Sequence, residues 1–70
     1  MMPLTMSKEG ETVTIRKITG LDDTRARLAE MGFVTGTAVT VASRVAGNLI
    51  VQVKDCRIAL DKTMANRIMF

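Results

Sequence analysis

The sequence lacks histidine, tryptophan and tyrosine, and it has one cysteine and one proline among its 70 residues. A tetrahedral Cys/His zinc site needs four such ligands, which Cys56 alone cannot supply. Without histidine there is no histidine general acid or base and no histidine-based triad, and no motif places another nucleophile against a base. We therefore predict that the protein is not an enzyme and that it has no catalytic, cofactor-binding or metal-binding residues.

Features that report on the cellular compartment are also sparse. Cys56 cannot form an intramolecular disulfide, which fits a reducing environment, and we interpret it as an inert thiol. The longest aliphatic stretches, such as Leu49–Val51 and Ile58–Leu60, fall far short of the roughly 20 residues that a bilayer span requires. The apolar start at Met1–Leu4 lacks the charged segment and the long hydrophobic segment of a signal peptide. These observations predict a cytoplasmic protein.

The charge balance is mildly basic. Ten Lys and Arg residues face seven Asp and Glu residues, which gives a net charge of +3 and an isoelectric point near 9.6. The basic residues are interleaved with acids, and neither phenylalanine sits among alternating basic residues as a base-stacking platform would. The pattern favours a solvated basic surface, so nucleic acid is not the expected partner. Association with nucleic acid or a transcriptional regulator is the alternative function.

Runs of β-branched residues separated by turn signals predict five short strands. Gly47 and Asn48 tolerate positive φ and predict a hairpin turn, and Asp61 predicts the start of a single helical turn that continues to about Asn66. The predicted strands are residues 12–18, 37–43, 49–54, 57–60 and 67–70.

One helix is predicted between the first two strands. It begins at Asp22 or Asp23, whose carboxylate would accept backbone N–H bonds and suit the positive end of the helix dipole, and it runs to about Met31. A rotation of about 100° per residue places Leu21 with Leu28 on its apolar side.

The end of this helix has the stronger signal. Gly32 suits the left-handed position that follows a helix, and Phe33 would then lie over Leu28 in a Schellman cap. We therefore assign structural roles to these three residues, and also to Gly36 and Gly47 in the turns that follow.

Five strands, one helix in the N-terminal half and a short late helical turn predict a mainly β domain. A small antiparallel sheet closed into a barrel hides the long edges that an open sheet of this size would expose. The predicted domain spans residues 10–70, and residues 1–9 are predicted to be a flexible N-terminal tail.

Residues 27–37 read Arg-Leu-Ala-Glu-Met-Gly-Phe-Val-Thr-Gly-Thr and are followed by Val-Thr-Val at 39–41. This order resembles the ferrous iron transport protein A (FeoA) family, whose members carry a similar Arg-Leu-x-x-Met/Leu-Gly-apolar-x-x-Gly segment. The resemblance covers about residues 10–70. Thr35 and Asn48 depart from it, because the family often has proline there. Further matching positions are Gly47, Asn48 and Leu49 in the hairpin and Ile58, Ala59, Leu60, Ala65 and Ile68 near the end.

The resemblance implies an SH3-like barrel and a small cytoplasmic accessory or regulatory protein of ferrous iron uptake. It implies protein–protein contact with the cytoplasmic GTPase domain of a membrane ferrous iron permease, so that the chain would reach the membrane only through this partner. Homo-oligomers are compatible with it. Ferrous sites favour His and carboxylate ligands, and here His is absent and the acids are scattered, so we expect the metal chemistry in the partner.

The SH3-like fold does not imply binding of proline-rich peptides, because a chain without Tyr or Trp cannot build the aromatic groove that such peptides need. The expected contact surface is aliphatic and charged. For each candidate a plainer role is open as well: solvated arginines, turn residues, or a methionine that fills the core. The candidate partner-binding residues are Arg25 and Arg27 on the helix, Arg44, Val45 and Ala46 at the hairpin tip, and Met64 on the late helical turn.

Overall fold

The computed structural model describes all 70 residues, and its six strands surround one apolar core. The mainly β architecture is as predicted, with one strand more than the five expected. No helix combines the length and the hydropathy needed to cross a membrane. The elements are β1 (Thr12–Thr14), β2 (Lys17–Ile18), α1 (Asp22–Glu30), β3 (Ala38–Val45), β4 (Asn48–Val53), β5 (Cys56–Leu60), α2 (Lys62–Ala65) and β6 (Ile68–Met69).

The strands form two antiparallel sheets. Four of them pair in the order β1-β3-β4-β5, and β2 pairs with β6. In the central hairpin Val39 lies opposite Val53, and Val41 lies opposite Val51. All four valines are buried, so the alternation of side chains along these two strands places one face of this hairpin on the core.

The extra strand arises because the predicted strand 12–18 changes partner in its middle. The N–H of buried Ile15 donates to the carbonyl oxygen of Thr37 at 2.9 Å, whereas the N–H of Arg16 donates to that of Met69 at 2.8 Å. The chain thus leaves the large sheet at Ile15 and joins the small one. In the sequence, apolar residues alternate at Val13 and Ile15, but the next apolar residue is Ile18 and Lys17 breaks the alternation. The change of sheet accounts for this break.

The start of α1 corrects two predictions. Leu21 occupies the N-cap position in an extended conformation, and no side chain caps the helix. Asp22 and Asp23 lie in the first turn instead, where their charges still suit the positive end of the helix dipole. Leu21 precedes the helical periodicity and is 81% exposed, so it does not join Leu28 on the buried side.

The end of α1 has the predicted cap. Gly32 has φ of +100°. Its N–H donates to the carbonyl oxygen of Ala29 at 3.0 Å, and the N–H of Phe33 donates to that of Leu28 at 2.9 Å. This is the hydrogen-bond pair of a Schellman motif. Leu28 and Phe33 are both fully buried and belong to the same core cluster.

The N-terminal segment corrects the prediction of a flexible tail over residues 1–9. Leu4 is fully buried in the core. Met2 and Phe70 exchange both backbone hydrogen bonds at 2.8 Å, which adds a strand-like segment beside β6. The guanidinium of Arg44 donates to the carbonyl oxygens of Thr5 (3.1 Å) and Ser7. The burial of Leu4 and these hydrogen bonds hold the N-terminal segment against the rest of the domain. The folded unit therefore begins near residue 2.

Asp61 caps α2, because its carboxylate accepts the N–H of Met64 at 2.8 Å. We expect Asp61→Ala to lower the free energy of unfolding by about 1 kcal/mol. In a domain of this size the melting temperature should fall by about 4–8 °C. Asp61→Ser, which keeps a capping oxygen, should retain most of the stability in the same thermal melts. Equal losses for both variants would contradict the capping role.

Candidate functional site

The largest surface concavity opens between β2 and α1 and has a volume of about 540 Å³. Residues 16–20, which contain β2, form one wall. Arg25 and Ala29 of α1 contribute another, and residues 33–35, which follow the helix cap, close the end. We call this concavity the β2–α1 groove. The Schellman cap turns the chain at Gly32 and so directs residues 33–35 towards β2.

The charge of the β2–α1 groove has one sign. Arg16, Lys17 and Arg25 line it, and no Asp or Glu does. Arg25 has one ionic neighbour, Asp22, at 3.9 Å between Nη1 and Oδ1, and both side chains are largely exposed. An exposed ion pair of this kind contributes little free energy, so an anionic ligand could replace Asp22 at Arg25. All three cations are therefore available to such a ligand.

A fourth cation borders the groove through Gly20. A Cβ atom built on Gly20 would lie 3.2 Å from Cδ and 3.5 Å from Nε of Arg67. The side chain of Arg67 therefore passes close to the backbone of Gly20, which has φ of +110°. Glycine fits both requirements here, since other residues rarely adopt this φ and would also crowd Arg67.

Apolar side chains form much of the rest of the groove, together with Thr19 and Thr35. Phe33 is fully buried beneath it, and Ile18 is half-buried in its wall. Val34 is 42% exposed at its end. Leu21, directly after Gly20, is 81% exposed and does not line the groove. The groove thus combines a cationic rim with aliphatic surface, which is the kind of contact surface that the composition predicts.

The structure does not bring the predicted contact residues together in one site. Arg25 lines the β2–α1 groove, whereas Arg27 is exposed on α1 outside it. Val45 is 57% exposed at the tip of the β3–β4 hairpin, where Ala46 adopts φ of +50°. Met64 is half-buried and packs against the core, the plainer of its two roles.

Arg44 has a structural role that the sequence does not reveal. Its guanidinium holds the N-terminal segment, and its backbone N–H donates to Oε1 of Glu9 at 3.1 Å. A binding role for Arg44 would compete with these bonds. The residues that sequence reasoning missed are Arg16, Lys17 and Arg67. Their one sequence signal is the loss of alternation at Lys17, because their approach to α1 depends on the tertiary fold.

The two sheets around one core place the chain among small SH3-like domains. FeoA of Stenotrophomonas maltophilia, described as a prokaryotic SH3 domain protein and solved in complex with zinc, matches the structure with a TM-score of 0.88. It is 28% identical, and the match covers 99% of this chain and 88% of that one. An iron uptake regulatory protein (FeoA) matches with a TM-score of 0.87 at 27% identity, over 94% of this chain and 89% of that one.

The sequence comparisons identify the family. The FeoA domain family matches residues 2–70. Fe(2+) transport protein A of Methanocaldococcus jannaschii is 35% identical over 69 residues, which is 99% of this chain and 84% of the relative. The chain belongs to the FeoA domain family, which is associated with ferrous iron transport. The resemblance and the SH3-like fold predicted from the sequence are confirmed, and the match from residue 2 agrees with the packed N-terminal segment.

Proposed function

We propose that this chain is a non-enzymatic, cytoplasmic accessory protein of ferrous iron uptake. It acts by protein–protein contact, docking on the cytoplasmic GTPase domain of a membrane ferrous iron permease. The observation that carries the proposal is the β2–α1 groove, a cationic and partly aliphatic concavity on a domain of a family associated with ferrous iron transport. FeoA of Stenotrophomonas maltophilia, which has the same fold, is suggested to act as a ferrous iron transport activating factor.

The distribution of reactive side chains supports contact over chemistry. No three His, Cys, Asp or Glu side chains form a group that could hold a metal ion. Cys56 is exposed at the start of β5. It does not line the β2–α1 groove. In this proposal iron is the cargo of the permease, and the present chain alters transport by occupying a surface of that partner.

Binding of the full chain to the purified permease in nanodiscs tests this function. We expect isothermal titration to detect binding in at least one of three states of the permease: without nucleotide, with GDP, or with a non-hydrolysable GTP analogue. Arg25→Glu should weaken it about tenfold, because the charge reversal lies in the groove. Arg27→Glu is the matched control, since it makes the same charge change on the same helix outside the groove, and it should bind nearly as the original chain does.

The hairpin tip offers a second comparison. Val45→Asp places a charge on an exposed apolar residue that does not line the groove. If Val45→Asp abolishes binding and Arg25→Glu does not, the docking surface is the hairpin. Absence of binding in every nucleotide state would contradict the proposed function itself.

A further inference from the structure

We propose that the β2–α1 groove binds an extended acidic segment of the partner protein. Its backbone lies along the free edge of β2, and its carboxylates contact Arg16, Lys17 and Arg25. This inference rests on the proposed function, because it names the chemistry of the partner at the same surface. Three observations carry it: an unpaired strand edge, a rim of one charge, and an aliphatic surface between them.

The free edge follows from the pairing of the small sheet. β2 pairs with β6 along one edge. The other edge of β6 is occupied by the N-terminal segment, through the bridge between Pro3 and Met69 and the backbone bonds between Met2 and Phe70. β6 is therefore central and β2 is the outer strand. An outer strand presents unpaired backbone groups to which an extended peptide can add.

The length of the wall sets the length of the occupant. Residues 16–20 line the groove without interruption. β2 itself is Lys17–Ile18, and Gly20 has φ of +110°, so backbone pairing with an occupant is confined to the β2 residues. Residues 16–20 span at most about 13 Å at about 3.3 Å per residue, so up to about five residues of an extended occupant would fit along them, with side chains pointing alternately to the two sides. Some of them reach the cationic rim, and their neighbours reach Ile18 or Val34.

The charge of the rim selects the sign of the occupant. Arg16 and Lys17 form no ion pair, and Asp22 makes the one long contact with Arg25. A segment with two or three carboxylates would pair with cations that the chain leaves without close partners. These pairs would be exposed, so salt should weaken binding, with a screening length of about 10 Å at 0.1 M.

The same groove is poorly suited to a nucleic acid strand. Single-strand binders place aromatic side chains where bases can stack on them. The two aromatic residues of this chain are Phe33, which is fully buried, and Phe70, which is half-buried. Aliphatic side chains provide the apolar surface instead, and these suit aliphatic residues of a peptide. An acidic peptide segment is therefore the occupant that the groove favours.

The test is an NMR titration of the full, ¹⁵N-labelled chain with the acetylated, amidated peptide Glu-Leu-Asp-Leu-Glu. We expect shift changes concentrated at residues 16–20 and 33–35, and affinity that falls at least about fivefold between about 20 mM and 200 mM NaCl. The matched peptide Lys-Leu-Lys-Leu-Lys should leave these signals unchanged. Shift changes spread evenly over all basic residues would overturn the proposal.

Two triple variants separate the groove from the overall charge. R16E/K17E/R25E and K8E/R57E/K62E each change the net charge from +3 to −3, and only the first alters the groove. All six residues are exposed, so both variants should fold, which circular dichroism checks. The groove variant should lose at least about tenfold in peptide affinity and the other less than about threefold. Equal losses would show that diffuse charge is responsible and refute the proposal.

Further outcomes distinguish this inference from the proposed function. If a single-stranded DNA decamer displaces the acidic peptide from the same residues and binds more tightly, the class of occupant is wrong. If the permease binds R16E/K17E/R25E as well as the original chain, the acidic-segment inference fails while docking on the permease stands. If the permease binds neither the original chain nor any variant, but the acidic peptide binds the groove of the original chain, the proposed partner is wrong. The inferred chemistry of the groove then stands.

Discussion

Replacing Leu4 with alanine is expected to destabilise the domain by about 2–5 kcal/mol, the range for removing most of a buried leucine side chain. A core of this size supplies about 3–5 kcal/mol in total, so most of the stability would be lost. Leu4 is fully buried although it is only the fourth residue of the sequence. The bonds that hold its segment, from Arg44 and from Phe70, should loosen together with it.

Denaturation of Leu4→Ala followed by circular dichroism measures this effect. Met6→Ala is the matched control, because Leu4–Met6 form a short 3₁₀ turn in which Met6 is 65% exposed. It should change the free energy of unfolding by no more than about 0.5 kcal/mol. Equal stability of the two variants would mean that the segment does not contribute to the core, and that residues 1–9 form the flexible tail predicted from the sequence.

Replacing Gly32 with valine should cost about 1–3 kcal/mol from backbone strain alone. A β-branched residue resists the φ of +100° found here. If the backbone relaxes to avoid the strain, the two hydrogen bonds that end α1 weaken, and Phe33 shifts in the core. The melting temperature should fall by about 4–8 °C for each kcal/mol lost.

Crowding does not explain this effect. A Cβ atom at Gly32 would lie 3.6 Å from Cγ2 of Val53, an ordinary van der Waals contact. Gly32→Asn therefore serves as the control, since asparagine tolerates the left-handed conformation better than other residues with a side chain. Thermal melts should rank the original chain first, Asn next and Val last. An unchanged melting temperature for Gly32→Val would show that the cap contributes nothing to stability.

The features that the sequence predicted correctly are local. The Schellman cap depends on Gly32 and on residues within five positions of it, and the Asp61 cap depends on a residue three positions away. The β3–β4 hairpin depends on alternating valines and the turn at Gly47. Each of these can be inferred from short-range spacing, because the interacting groups are neighbours in the chain.

The features that it missed depend on distant parts of the chain. The break between β1 and β2 arises because the N–H of Ile15 donates to the carbonyl oxygen of Thr37, whereas the N–H of Arg16 donates to that of Met69. The burial of Leu4 depends on a core that later strands complete. The candidate site has the same origin: Arg16 and Lys17 approach Arg25 because β2 and α1 border one groove, and no spacing in the sequence encodes that approach.

The backbone bonds between Met2 and Phe70 hold residue 2 beside residue 70. Because the two ends lie side by side, a linker of a few residues could join them, and new ends could be opened at the exposed turn of Ala46 and Gly47 without cutting a strand. The two ends of the original chain also share one region of the surface, so protein modules attached to either end would emerge next to each other.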